Sequence, residues 1–185
     1  TAGDGCSATC QIEAGSIAND ACATPITVTD GTLDFTNVGA TTDGAADPLC
    51  NFFARTQIES DLWYTYTASC TGTAVFSLCG SRFDTKLAVY PGATCPSVSP
   101  LGCSDDDCGT GLENVQSRVE LQVTSGQSYM VRIGGFPQEA PRPLEQGAGR
   151  LTIGCNVPDA CAVSTNSCST LAADNAPGCN DPACC

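Results

Sequence analysis

The chain has 185 residues, with 7 Lys and Arg against 20 Asp and Glu for a formal net charge of −13, and it carries 15 cysteines and no histidine. That length fits one core domain with short appendages. The missing imidazole excludes Ser-His-Asp and Cys-His catalysis, His-based zinc or haem sites and a histidine pH switch, and the few scattered cations cannot neutralise a run of phosphates, which excludes nucleic acid as a partner.

Residues 1–18 read as an arm with a Cys6-x-x-x-Cys10 pair and no strong periodicity. From Asn19 to Val157 the pattern becomes short alternating runs broken by turn residues, the mark of an antiparallel β protein. Ile26-Thr27-Val28 and Leu33-Asp34-Phe35 flank Asp30-Gly31, which predicts a hairpin. Leu62 to Thr67 alternates aromatic and β-branched residues, Ala74 to Leu78 follows Thr71-Gly72, and Leu87 to Tyr90 stops at Pro91-Gly92. Val119, Leu121 and Val123 run into Thr124-Ser125-Gly126-Gln127 and then Tyr129, Val131 and Ile133, which predicts a second hairpin, with Met130 and Arg132 on its opposite face. Leu151-Thr152-Ile153 is the last strand. Many short strands without helical periodicity predict a disulfide-rich, antiparallel β-sandwich of jelly-roll type over residues 19–157. Residues 137–149 form a Pro-rich loop, and the Cys-rich tail, 158–185, cannot build a core without disulfides.

Cysteine at this density beside a single lysine, Lys86, reads as an oxidising compartment in which thiols pair. Thr1-Ala2-Gly3, without Met or a basic-then-apolar leader, is the start expected of a secreted chain whose signal peptide has been removed. No stretch is long and apolar enough to span a bilayer, so membrane insertion is not expected. The bridges are expected to be mainly local. Cys95 with Cys103 is the first expected pair, because the two bracket a short Pro-containing loop, and Cys6, Cys10, Cys79 and Cys108 are further candidates. An odd cysteine count leaves at least one free, bonded to another molecule or partnered beyond this sequence. Zinc held by thiolates is the alternative use of these cysteines, disfavoured in an oxidising compartment.

The central segment resembles the bacterial pre-peptidase C-terminal type domains and their Cys-rich relatives in secreted proteins of planctomycetes and myxobacteria. The stretches that carry the resemblance are Asn19-Asp20-x-Cys22, Asp61-Leu62-Trp63-Tyr64-Thr65-Tyr66-Thr67-Ala68, the run from Cys79 to Tyr90, Cys103-Ser104-Asp105-Asp106-Asp107-Cys108-Gly109, Ser117-Arg118-Val119 and Tyr129-x-Val131-x-Ile133-Gly134-Gly135-Phe136. The resemblance implies a β-sandwich that accompanies secreted enzymes or surface proteins as a non-catalytic module. The loop from Asp43 to Glu59, with Cys50, departs from it. The tail from Asn175 to Cys185 looks like the opening of a planctomycete Cys-rich repeat that stops at its CC pair, so the chain is expected to be a fragment or a processed product.

Asp105-Asp106-Asp107 is the densest negative charge in the chain. Packed carboxylates suit a hard cation, and Ca2+ accepts several of them together with loop carbonyls. Asp20 is the fourth candidate ligand, with Asn19, Asp61 and Asp84 also able to complete the site, and the alternative is a solvated acidic turn pinned by a disulfide. Asp61 and Asp84 also suit turn caps at strand edges. Trp63, Tyr64, Tyr66, Tyr90 and Tyr129 could offer ring faces to a sugar, but their placement within strands assigns most of them to the core. Glycosidase chemistry needs only paired carboxylates, which any acidic chain contains, and the reading here is that the chain is not an enzyme. The expected function is a secreted structural, adhesive or assembly module, a subunit of an extracellular filament held by its terminal arms and disulfides, with copies of itself or other cell-surface components as partners. A calcium-dependent glycan-binding module attached to a larger secreted protein is the alternative.

Overall fold

The computed structural model describes residues 17–109, 114–139 and 141–157. Most of the arm and the tail beyond Val157 lie outside the described residues, and with them Cys6, Cys10 and the cysteines of the tail. Among the described residues nine strands form: β1 (Ile26–Val28), β2 (Gly31–Thr36), β3 (Glu59–Thr67), β4 (Gly72–Ser77), β5 (Thr85–Pro91), β6 (Gly102–Ser104), β7 (Arg118–Val123), β8 (Ser128–Gly135) and β9 (Ala148–Asn156). One sheet has the order β1-β3-β8-β5-β6 and the other β2-β9-β4-β7. Without β1, the orders β3-β8-β5-β6 and β2-β9-β4-β7 are those of an eight-stranded jelly roll. The extra strand β1 lies parallel to β3.

The alternating runs bury their apolar members between the sheets. Leu62, Tyr64 and Tyr66 of β3, Leu87 and Val89 of β5, and Val131 and Ile133 of β8 meet Ala74 and Phe76 of β4, Val119 and Val123 of β7, and Leu151 and Ile153 of β9 in one core. Tyr66 and Phe76 cross that core edge to face, with ring centroids 5.4 Å apart.

Both predicted hairpins are instead corners that switch sheets. β1 joins β3 while β2 joins β9, so Asp30-Gly31 carries the chain from one sheet to the other. Gly31 has φ 132, a conformation open to glycine, and the Asp30 carboxylate accepts hydrogen bonds from the Tyr66 hydroxyl (2.7 Å) and from Ser69 Oγ. Likewise β7 pairs with β4 and β8 with β3 and β5. The turn between β7 and β8 docks on the β3–β4 turn, Ser125 N donating to Thr71 Oγ1 and Gly126 N to Ala68 O, both at 2.9 Å. A run with one apolar face satisfies a hairpin and a corner equally well, because either arrangement buries that face.

The bridges also differ from expectation. Cys95 pairs with Cys22 and Cys103 with Cys50, so the predicted Cys95–Cys103 bond does not form; Cys70 pairs with Cys155 and Cys79 with Cys108. Sequence separations of 73, 53, 85 and 29 replace the local pattern. The cause is the topology: when successive strands enter opposite sheets, neighbours in space are remote in sequence.

The two sheets differ in their outer faces. Burial alternates along β4 and β9, as expected with one face in water, whereas β3, β5 and β8 are buried almost throughout. The cover over the latter is the loop from Asp43 to Ile58. It packs Cys50 and Ile58 on Trp63, Ala88, Tyr90 and Met130 in a second core. Met130 and Arg132, which the alternation places outward, therefore end with 0% and 1% exposure.

Candidate functional site

Three features of the described residues carry enough chemistry to be candidate sites: a polar clamp under the loop, a cluster of carboxylates at one end of the sheet, and an open side of the sandwich.

The clamp begins at a bulge. β3 carries one extra residue between Glu59 and Leu62 relative to β8, and Asp61 N donates to Thr41 O at 2.9 Å rather than into the ladder. The Asp61 carboxylate accepts from Asp43 N and Gly44 N, both at 3.1 Å, and from Arg132 Nε at 2.5 Å. The remaining Arg132 donors go to Ala45 O (2.7 Å) and to Gly44 O, Gln57 Oε1 and Ile58 O (2.9 Å each). A Cβ at Gly44 would run into the guanidinium, so only glycine fits there. Lys86, fully buried, donates to Cys50 O, Arg55 O and Gln57 O at 2.8, 2.9 and 3.1 Å and lies over the rings of Phe52 and Phe136. Burial pushes its amine down to about 8. Two buried cations thus supply the donors that the carbonyls of a buried loop require. Both are occupied in holding structure.

The carboxylate cluster sits where the start of β5 faces the end of β6. Pairing of Leu87 with Ser104 puts Asp84 opposite the Asp105-Asp106-Asp107 turn. Asp84, Asp105 and Asp106 each bring an oxygen within 4.8 Å of the other two. Asp105 is 3% exposed, and both its Oδ1 and that of Asp84 are buried without a hydrogen-bond partner. Burial, reinforced by the Asp106 charge at both, by Glu145 at Asp84 and by Asp84 at Asp105 and opposed by Lys86, pushes Asp84 and Asp105 up to about 7. Cys50–Cys103 and Cys79–Cys108 fix the backbone on either side of the turn.

Of the four residues first singled out as ligands, Asp105 and Asp106 come together and the other two stand apart. Asp107 turns back to accept from Ser104 Oγ at 2.8 Å, and Asp20 caps a distant loop by accepting from Thr41 N (2.6 Å) and Thr41 Oγ1 (3.1 Å). Short side chains next to free backbone donors are spent on them. Asn19 donates to Trp63 O and Asp61 is committed to Arg132, which leaves Asp84 as the residue that joins the pair. The strand pairing that brings it there is invisible to local spacing.

Trp63, Tyr64, Tyr66, Tyr90 and Tyr129 are all buried, with exposures of 7% or less. A cleft of about 600 Å³ beside Cys22–Cys95 has Trp63 and Tyr90 in its wall, but the indole N–H is already donated to Asp43 Oδ1 at 2.7 Å. These rings present no face on which a sugar could stack.

On the side of β6 and β7 the sandwich is closed: Arg118 N donates to Ser104 Oγ at 3.0 Å, and the Val119 and Leu121 side chains crowd against Gly102. On the opposite side no strand among the described residues closes it. Among the described residues β1 and β2 each have a partner on one flank only, and between them a cavity of about 330 Å³ is lined by Ile26, Val28, Leu33, Leu151 and Ile153. Ile26 and Leu33 remain 40% and 38% exposed.

No protein-family model and no curated protein matches the chain. Among solved structures it is similar to the pre-peptidase C-terminal domain of a collagenase from Bacillus anthracis, with a TM-score of 0.43 at 7% identity over 71% of this chain and 96% of that one. It is also similar to PliG, a periplasmic inhibitor of g-type lysozyme from Aeromonas hydrophila, with a TM-score of 0.39 at 12% identity over 70% and 96%. A third similarity, with a TM-score of 0.39 at 8% identity over 71% and 98%, is to CorA, a surface-associated copper-binding protein of Methylomicrobium album BG8. Likenesses this distant carry no function across.

Proposed function

We propose that the chain is a non-catalytic extracellular module of structural, adhesive or assembly type, and that its open β1/β2 side receives a strand from a second copy. The observation that carries this reading is a pair of edges whose outer flanks no strand among the described residues pairs with. Natural sheets blunt their edges with short strands, charged side chains, Pro or bulges. β1 is short, at 3 residues, and β2 carries Asp34, which is paired with Arg150, but neither strand contains Lys, Pro or a bulge, and apolar side chains line the slot between them. A strand added there gains backbone hydrogen bonds and buries Ile26 and Leu33. A head-to-tail contact of that kind propagates into a filament unless its rotation closes a ring.

The extracellular part of the reading is supported by four disulfides among the described residues. The non-catalytic part is supported by the state of the carboxylates. In the one group of three carboxylates among the described residues Asp105 is buried at 3% exposure, so it cannot itself reach a scissile bond. The five rings singled out as a sugar platform are all buried, so the glycan-binding reading has no support from them.

Light scattering, non-reducing electrophoresis and electron microscopy of the native protein test the proposal. Concentration-dependent or disulfide-linked oligomers are expected, and Ile26→Lys with Leu33→Lys is expected to abolish the non-covalent ones while leaving the fold intact. A monodisperse monomer, as would follow if residues 1–18 covered the slot of their own chain, refutes the assembly reading. Hydrolysis of a polysaccharide or peptide that an Asp substitution abolishes refutes the non-catalytic one.

A further inference from the structure

We propose that Asp84, Asp105 and Asp106 bind one Ca2+ ion. The site is built from the two ends of neighbouring strands and is independent of whatever the β1/β2 side binds. Its central ligand is also its strongest support: Asp105 is 3% exposed, and its Oδ1 lies buried without a hydrogen-bond partner inside a group of three carboxylates. A buried carboxylate oxygen without a donor costs free energy unless a cation meets it. Protein cations do not fill that role. Lys86, on the neighbouring position of β5, is committed to the carbonyls of Cys50, Arg55 and Gln57, and no Lys or Arg among the described residues forms an ion pair with Asp84, Asp105 or Asp106.

The donor set selects the ion. All three ligands are carboxylate oxygens, and Cys79, Cys103 and Cys108, the cysteines closest in sequence, are held in disulfides, so no thiolate or imidazole is at hand for zinc or copper. Among hard cations, Ca2+ takes several carboxylates in a flexible geometry, whereas Mg2+ demands a near-ideal octahedron and keeps several waters, so a group of three carboxylates favours the larger ion. Three carboxylates leave coordination positions for waters, as expected of the weaker extracellular calcium sites. The β5–β6 ladder and the bridges Cys50–Cys103 and Cys79–Cys108 hold the ligands in place before the ion arrives, so binding orders little chain.

The test uses the whole chain, oxidised and freed of metal by chelator and dialysis, titrated with CaCl2 and separately with MgCl2. Calorimetry is expected to give one Ca2+ per chain with a dissociation constant of about 0.1–1 mM. A tenfold excess over that constant is expected to raise the melting temperature by about 3–6 °C. Asp105→Asn and Asp106→Asn are each expected to weaken binding at least tenfold. Asp105→Asn replaces a buried charge with a neutral side chain of the same size, and Asp106 is exposed, so neither variant unfolds the chain. Asp34→Asn, which alters an exposed ion pair with Arg150 on the other sheet, leaves calcium binding unchanged. Absence of heat and of any melting shift at about 10 mM CaCl2, roughly tenfold above the upper end of the expected range, overturns the site. So does undiminished binding by both variants, and Mg2+ binding as tight as Ca2+ overturns the choice of ion.

Discussion

Replacing Arg132 with Met tests whether buried charge holds the loop over the outer face of the five-stranded sheet. The side chain is 1% exposed and its guanidinium donates to Asp61, Gly44, Ala45, Gln57 and Ile58. Met fills much of the same volume but strands the Asp61 carboxylate, which is 0% exposed, with two backbone donors, and leaves three loop carbonyls without their charged partner. Removing one member of a buried pair costs about 3–5 kcal/mol. The carbonyls add to this incompletely, because the loop can open and let water reach them, so the total comes to about 4–6 kcal/mol. That corresponds to a fall in melting temperature of roughly 10–20 °C for a chain of this size. Guanidinium unfolding with the disulfides intact, followed by the fluorescence of Trp63, measures the loss and reports the loop at once, because Trp63 is the sole tryptophan and sits under it. Its emission is expected to shift to the red in the variant. Adding Asp61→Asn removes the stranded charge and is expected to restore part of the stability. A cost below about 1 kcal/mol with unchanged emission refutes the argument that this pair holds the loop.

Removal of Cys70–Cys155, which closes a segment of 85 residues, is expected to cost about 4–5 kcal/mol, and removal of Cys79–Cys108, which closes 29, about 3–4 kcal/mol. Denaturant midpoints of the two double-Ser variants check the order, and the reverse order contradicts a loop-entropy origin. Burial raises Tyr64, Tyr66 and Tyr90 above the usual phenol value, with Asp30 adding to the effect at Tyr66 and Arg132 opposing it at Tyr90. A group whose native value is raised stabilises the fold below its unfolded value and loses that contribution as pH climbs through the native one, so stability is expected to fall above about pH 10. Absorbance at about 295 nm and circular dichroism recorded together check it; phenolate from these three rings is expected only as the fold is lost.

What the sequence determined by itself is the part of the fold written in period-2 patterns and composition. Leu62, Tyr64 and Tyr66, or Tyr129, Val131 and Ile133, can bury a common face only as strands, and many such runs separated by Gly, Pro and Asp turns can only stack as sheets. The assignment of most aromatics to the core follows from the same alternation. The tertiary structure alone decided which sheet each strand enters, because Asp30-Gly31 and Ser125-Gly126 serve a sheet-switching corner as readily as a hairpin, and the backbone differs only in partners remote along the chain. From that choice follow the long-range disulfides and the arrival of Asp84 beside Asp105 and Asp106, since proximity in a jelly roll is set by sheet order rather than by spacing. The burial of Lys86 and Arg132 was equally hidden. Alternation places them on an outer face, where a charged residue is ordinarily solvated, and only the folded loop, with carbonyls that need donors, makes burying them favourable.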